Sequence, residues 1–185
     1  MKTNTIPTRK EVPAEYTWDL TSLYENDSQW EQSLEKILAL ANQLVALKGT
    51  LAKDTKKLLQ ALQINAEMEQ ISELAGNYAF LLTAQDAGDA DSQNKMGRYM
   101  MTASQAEAET SFFVPELQTL SDSYVEKILQ LPEFSDYAVF LQKLFRLKPY
   151  ILSEKEEKLF ALQSESMETA SKAFGMLTNV DIDYG

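Results

Sequence analysis

From Trp30 onward, apolar residues recur at three-and-four spacing, the period of a helix with one buried face. Trp30, Leu34, Ile37, Leu38, Ala41, Leu44 and Val45 form the first such stripe, which stops at Gly49. Ser28-Gln29-Trp30-Glu31 has the S-x-x-E form of a capping box, in which a side chain at each end satisfies an orphan backbone N–H, so the first helix is predicted to open there. Asp54 is placed to cap a second helix bearing Leu58, Leu59 and Leu62, which either bends near Asn65 or runs directly into the next stretch. There Ile64, Met68, Ile71, Ala75, Tyr78 and Leu82 alternate fours and threes, the seam of a closely packed antiparallel pair. The break from Asp86 to Asp91 is short, as helix-hairpin loops are, and Asp91 stands where a cap belongs. A helix from Ser92 toward Phe112, burying Met96, Met100 and Ala103, should follow.

Pro115 suits the first turn of a further helix, because the N–H it lacks has no partner there in any case. Leu117 and Leu120 lead to Ser121-Asp122, a new cap before Val125, Ile128 and Leu129. Pro132 restarts the pattern with Phe134, Tyr137, Leu141 and Leu144, and Lys148-Pro149 ends it, since the residue before a proline is pushed out of helical geometry. Ser153-Glu154-Lys155-Glu156 is a second capping box, opening a last helix with Leu159, Leu162, Ala170, Phe174 and Leu177. From Asn179 to Gly185 polar and apolar residues alternate strictly, as in a half-buried strand, and a strand without a partner is what a cut fragment would show. Residues 1–27, with Pro7, Pro13 and Tyr16-Thr17-Trp18-Asp19-Leu20, lack any helical period and read as an extended arm ending in a short turn, its aromatics pinned on the helices. The expected fold is therefore all-α, an antiparallel bundle of about six to seven helices with an N-terminal arm and a C-terminal strand stub. Its parts are the arm at 1–27, the helical lobe at 28–178 and the strand stub at 179–185.

Lys and Arg number 17 against 28 Asp and Glu, a net charge of −11 that is the wrong sign for phosphates or anionic lipid headgroups. Nucleic acid and membrane are therefore poor partners. No apolar run approaches the length of a membrane span, and no apolar segment follows the first residues as in an export signal, so the reading is cytoplasmic. With 0 Cys there is no disulfide, thiol nucleophile or thiolate metal site. With 0 His, Ser-His-Asp and Cys-His catalysis and every His-ligated zinc centre are excluded within these residues. No catalytic and no metal-ligating residue is assigned, and substrate contacts stay undefined.

Several residue sets invite a sharper reading beside a plainer one. Asp86, Asp89 and Asp91 suggest a calcium loop, but from Asp89 the register puts Gln93, Asn94 and Met100 at the fifth, sixth and twelfth positions, and a solvated helix-capping loop is the better account. Asp181 and Asp183 share one strand face and could share a proton or hold magnesium, against a simple polar face. Met68, Tyr78, Met96, Met100 and Met101 are either core or an adaptable peptide-binding surface, and helical spacing favours core. Lys56-Lys57 and the block from Glu154 to Lys158 read as solvated helix faces, and Trp18 and Trp30 as packing anchors.

Three ordered stretches carry a resemblance: Tyr16-Thr17-Trp18-Asp19-Leu20-Thr21-Ser22-Leu23-Tyr24 with Trp30; Ser111-Phe112-Phe113-Val114-Pro115-Glu116-Leu117; and Arg146-Leu147-Lys148-Pro149-Tyr150-Ile151-Leu152-Ser153-Glu154-Lys155-Glu156-Glu157. With Asn179-Val180-Asp181-Ile182-Asp183 they extend over nearly the whole chain, which resembles the N-terminal lobe of oligoendopeptidase F, a thimet-oligopeptidase-like zinc metallopeptidase. Tyr150 stands where that family commonly has His, so no role is carried over to it. The resemblance implies a much longer enzyme that hydrolyses peptide bonds in short peptides, with a zinc-binding H-E-x-x-H helix and a third carboxylate ligand outside these residues. It also implies that this lobe lines a channel admitting short peptides, that its partner is the catalytic domain of the same polypeptide, and that alone it is inactive. The face turned toward that domain would be apolar and able to self-associate. The competing reading is a self-standing helical interaction or scaffold domain gripping a partner helix through the stripe from Ile64 to Leu82.

Overall fold

The computed structural model describes residues 11–86 and 88–150, together with Thr169, Ala173 and Phe174. Its backbone divides into two compact units, Met1–Leu141 and Gln142–Gly185. Three long helices, α1 (Asp27–Val45), α2 (Thr55–Gln85) and α3 (Ala90–Thr110), pack on one another in the first unit and are followed by the short α4 (Phe113–Gln118) and α5 (Asp122–Ile128). A 3₁₀ turn at Pro132–Tyr137 leads to α6 (Ala138–Leu147), whose α-helical pattern stops before Pro149, but the chain continues in a 3₁₀ turn at Lys148–Tyr150, so Lys148 does not leave helical geometry as expected. The described residues contain no strand, in keeping with an all-α class. The strand stub at 179–185, Asp181, Asp183 and the capping box at Ser153 fall outside the described residues, while Thr169, Ala173 and Phe174 of the expected last helix are helical.

Helix α1 opens two residues earlier than the S-x-x-E pattern predicts. Asn26 has an extended backbone (φ −159°, ψ 164°) and its side chain accepts from Gln29 N at 3.1 Å, while Gln29 Oε1 accepts from Glu25 N at 3.1 Å. A cap must hold non-helical dihedrals, and Ser28 already lies inside the first turn. The buried face is also rotated. Leu40 is buried with Trp30, Leu34, Ile37, Ala41 and Leu44, whereas Val45 is exposed and Leu38 half-buried. At 100° per residue this arc centres near Ile37 and is broad because α1 packs on both α2 and α3.

Asp54 caps α2 as predicted, accepting from Lys56 N at 2.9 Å and Lys57 N at 3.4 Å. The helix runs through Asn65 without a break, for roughly 46 Å by its rise per residue. Asn65 does not compete with the helix backbone, because its Nδ2 donates along the surface to Glu69 Oε1 at 2.8 Å. The stripe of Ile64, Met68, Ala75 and Tyr78 is buried, with Trp30 of α1 against it: the indole N–H donates to Ala75 O at 3.0 Å. Ile71 and Leu82 of the same stripe are half-buried, so most of the surface that a partner-gripping scaffold would use is already packed within the fold.

Helix α3 departs most from expectation. Its cap is Asp89, not Asp91: the Asp89 carboxylate accepts from Ser92 N at 2.8 Å and Ser92 Oγ at 2.6 Å. Met96 and Ala103 are half-buried, and Met100 and Met101 are 58% and 70% exposed, so the expected core of Met96, Met100 and Ala103 gives way to Ser92 and Ala106. Tyr99 takes the contact with α2 that the spacing gave to its neighbours Met100 and Met101: Gly76 of α2 faces the Tyr99 side chain so tightly that a Cβ there would lie 2.6 Å from Cζ.

Gly49, at φ 76°, ends the turn after α1 in the left-handed region that glycine tolerates. The Glu116 carboxylate of α4 accepts from Gly49 N at 2.8 Å and Leu51 N at 3.0 Å, tying the α1–α2 turn to α4. Of the arm's aromatics, Tyr24 packs edge-on against Tyr78 with ring centroids 5.3 Å apart. Tyr16 and Trp18 border a shallow pocket with Ala84 and Gln85 at the end of α2 but stay 75% and 56% exposed, so Trp18 is not the packing anchor the sequence suggested, whereas Trp30 is fully buried.

Candidate functional site

Helices α1 to α4 and the start of α6 enclose an open groove of about 440 Å³ in the first unit. Its apolar wall is made by Ile37, Met68, Phe113, Val114 and Phe140, with Ala103 and Ala106 of α3 between them. Asn65, Glu69 and Ser72 enter from α2, and Glu107, Thr110 and Ser111 from α3 and its end. These positions follow from helical spacing: 65, 69 and 72 repeat by four and three on α2, as do 103, 107 and 110 on α3. Asn65 orients Glu69 through its 2.8 Å hydrogen bond, and Ser72 Oγ shares a 3.3 Å hydrogen bond with Tyr99 Oη. Among the described residues, Glu69 and Glu107 are the lining residues that carry charge, and no Lys or Arg lines the groove.

A separate polar cluster sits where the arm meets the bundle. Tyr78 Oη donates to Asp27 Oδ1 at 3.2 Å, and Lys95 Nζ lies 3.2 Å from Asp27 Oδ2. Burial, then the Asp27 charge and the hydrogen bond to it, raise the Tyr78 phenol above its ordinary value. Arg98 makes a two-pronged pair with Glu31 and lies 5.7 Å from the centre of the Trp30 ring. Hydrogen bonding to Glu31 raises the guanidinium further above a value at which it is always charged. In the arm, the Thr21 hydroxyl and then the Thr21 N–H donate to Asp19 and lower its carboxyl. These contacts hold elements together and leave no acid and base facing a common reacting atom.

The loop aspartates act as backbone acceptors: Asp86 Oδ1 takes Gly88 N at 3.0 Å, and Asp89 caps α3. Among the described residues no three Asp or Glu converge as a metal would require. Of the Met and aromatic set, Met68 lines the groove, Tyr78 is core, and Met100 and Met101 point elsewhere. Glu69 and Glu107 were not singled out in the sequence, where each reads as one more acid on a solvated helix face. The i, i+4 pair Asn65 and Glu69 is the sole local hint. A site of this kind can bind and orient a molecule, and it has no nucleophile paired with a base.

The family model described as Oligopeptidase F matches residues 116–184. The chain is 31% identical over 185 residues to Oligopeptidase PepF of Bacillus subtilis, covering 99% of this chain and 28% of that protein. It is likewise 31% identical to the plasmid oligoendopeptidase F of Lactococcus lactis, over 94% of this chain and 29% of the relative. A crystal structure of oligoendopeptidase-F from Enterococcus faecium overlays with TM-score 0.63 at 25% identity, covering 86% of this chain and 32% of that one. A candidate peptidase from Chlamydophila abortus overlays with TM-score 0.76 at 28% identity, over 98% and 31%. The chain spans less than a third of the length of the relatives it matches.

Proposed function

This chain belongs to the oligoendopeptidase F family, and on that premise we propose that it is the N-terminal helical lobe of a zinc-dependent oligoendopeptidase that cleaves short peptides in the cytoplasm. The observation that carries the reading is the match along nearly all of these residues to peptidases more than three times as long. The zinc does not fit this chain. It has no His and no Cys, and its described carboxylates do not converge, so the residues that would hold the metal, and with it a water for the metal to acidify, would be supplied by the catalytic domain. No catalytic step is assigned to the lobe. Its part is to shape the channel and select substrate size, which raises the effective concentration of a productively placed peptide without touching the scissile bond. Its partner is the catalytic domain of the same polypeptide.

The test is reconstitution. The purified 185-residue chain is expected to retain no stoichiometric zinc by metal analysis and to cleave no internally quenched peptide. The same lobe joined to a catalytic domain with an H-E-x-x-H helix is expected to cleave it in a chelator-sensitive manner. One tightly held zinc per 185-residue chain, or peptidase activity that survives repurification of that chain, would overturn the assignment.

A further inference from the structure

The groove between α2, α3 and α4 joins two features that rarely serve packing together: an apolar floor and carboxylates with no cation among the described residues to answer them. Met68, Phe113, Val114 and Phe140 supply the floor. Glu69 and Glu107 supply the charge, and neither appears in an ion pair with a described Lys or Arg. The described ion pairs, Glu31 with Arg98, Asp27 with Lys95 and Glu67 with Lys36, lie at other positions, and no Lys or Arg is among the residues described as lining the groove, so its net charge is negative. The groove's volume, about 440 Å³, is within the range of small-ligand sites and suits a few residues of extended peptide.

We propose that this groove binds the N-terminal end of a short peptide, its α-ammonium against Glu69 and Glu107 and its first, apolar side chain on the floor of Met68, Phe113 and Phe140. Charge complementarity selects the occupant. An α-ammonium lies one bond from the Cα that carries the apolar side chain, so both fit a groove whose carboxylates border its apolar wall. A lysine ammonium lies four methylenes away from its backbone and reaches past that wall. Asn65 holds Glu69 by its Oε1 and leaves Oε2 for the ligand. The Thr110 and Ser111 hydroxyls already donate to Ala106 O at 2.8 Å and Ala108 O at 2.9 Å, so toward a ligand their oxygens are left to accept from a peptide N–H. The inference rests on the reading of the chain as part of a peptidase, and it names a chemical requirement that the reading does not contain: a free amino end followed by an apolar side chain.

The test is binding of leucyl-glycyl-glycine to the purified 185-residue chain, followed by chemical shifts of its methionine and alanine methyls. Met68, Ala103 and Ala106 are expected to shift, while Met100 and Met101 serve as internal references outside the groove. N-acetylation of the peptide, which removes the charge and keeps the side chain, should weaken binding by about tenfold. Glu107→Gln, on an exposed position, should weaken it by about threefold to tenfold, and Glu35→Gln, an equal charge change away from the groove, should leave it unchanged. Glycyl-glycyl-lysine amide, with its amino end acetylated, should bind no better than the acetylated control. Equal binding of free and acetylated peptide, shifts confined to other methyls, or equal loss in Glu35→Gln and Glu107→Gln would each overturn the proposal. If the longer polypeptide cleaves peptides while the groove fails these tests, the peptidase reading stands and the groove inference falls. If the groove passes and no peptidase activity is ever reconstituted, the reverse holds.

Discussion

Gly76 and Tyr99 show how one missing methyl group sets the distance between two helices. Alanine is favoured over glycine inside a helix by roughly 1 kcal/mol, but a Cβ at position 76 would fall 2.6 to 2.8 Å from Cζ, Oη and Cε1 of Tyr99. Gly76→Ala is expected to destabilise the protein by about 1–2 kcal/mol in chemical denaturation, since overpacking outweighs the propensity gain. In a Tyr99→Ala background the same change should become stabilising by about 0.5–1 kcal/mol, because the propensity term then acts alone. Tyr78 carries a pH signature. Its phenol is raised in the folded state above the ordinary 10.0, so the folded chain holds that proton more tightly than the unfolded one. The stabilisation is therefore complete below pH 10 and is lost as pH rises through the folded-state value. Alkaline denaturation of Tyr78→Phe should lose the part of the pH dependence that appears above about pH 10; an unchanged profile would place the strain elsewhere.

At the scale of elements, the helix starts separate sequence pattern from geometry. Asn26 and Asp89 carry the capping hydrogen bonds, whereas Ser28 and Asp91 lie within first turns. Asn26→Ala and Asp89→Ala are each expected to cost about 1 kcal/mol, and Ser28→Ala and Asp91→Ala less than about 0.5 kcal/mol, by urea titration. The reverse ranking would reinstate the pattern-based caps. The S-x-x-E motif at Ser28 was legible and misleading, because neighbouring Asn26 and Gln29 form the equivalent pair of bonds with the right backbone dihedrals. Asp54 and Ser121 were read correctly, as each cap depends on local chemistry alone, whereas Pro149 ends the α-helix without expelling Lys148, which opens a 3₁₀ turn. The outward Met100 and Met101 were not legible. Nothing near them in sequence shows that Gly76, on another helix, makes room for the Tyr99 side chain beside them.

For the whole molecule, the apolar side chains left outside matter as much as the core. Tyr16, Trp18, Phe80, Met100 and Met101 are exposed among the described residues. At high protein concentration the isolated chain is expected to self-associate in sedimentation equilibrium, and Trp18→Ser is expected to weaken that association. A strict monomer at every concentration would remove this expectation. The sequence by itself determined the all-α class, most helix spans and the impossibility of His- or Cys-based chemistry within these residues, because helical period and residue inventory are local properties. It also carried the family resemblance in three ordered stretches. The tertiary structure alone decided which faces were buried and that Asn65 to Ser72, Ala103 to Ser111, Phe113 and Phe140 share one groove. Those residues lie on helices whose mutual rotation is set by packing, and no spacing along the chain encodes a rotation between helices.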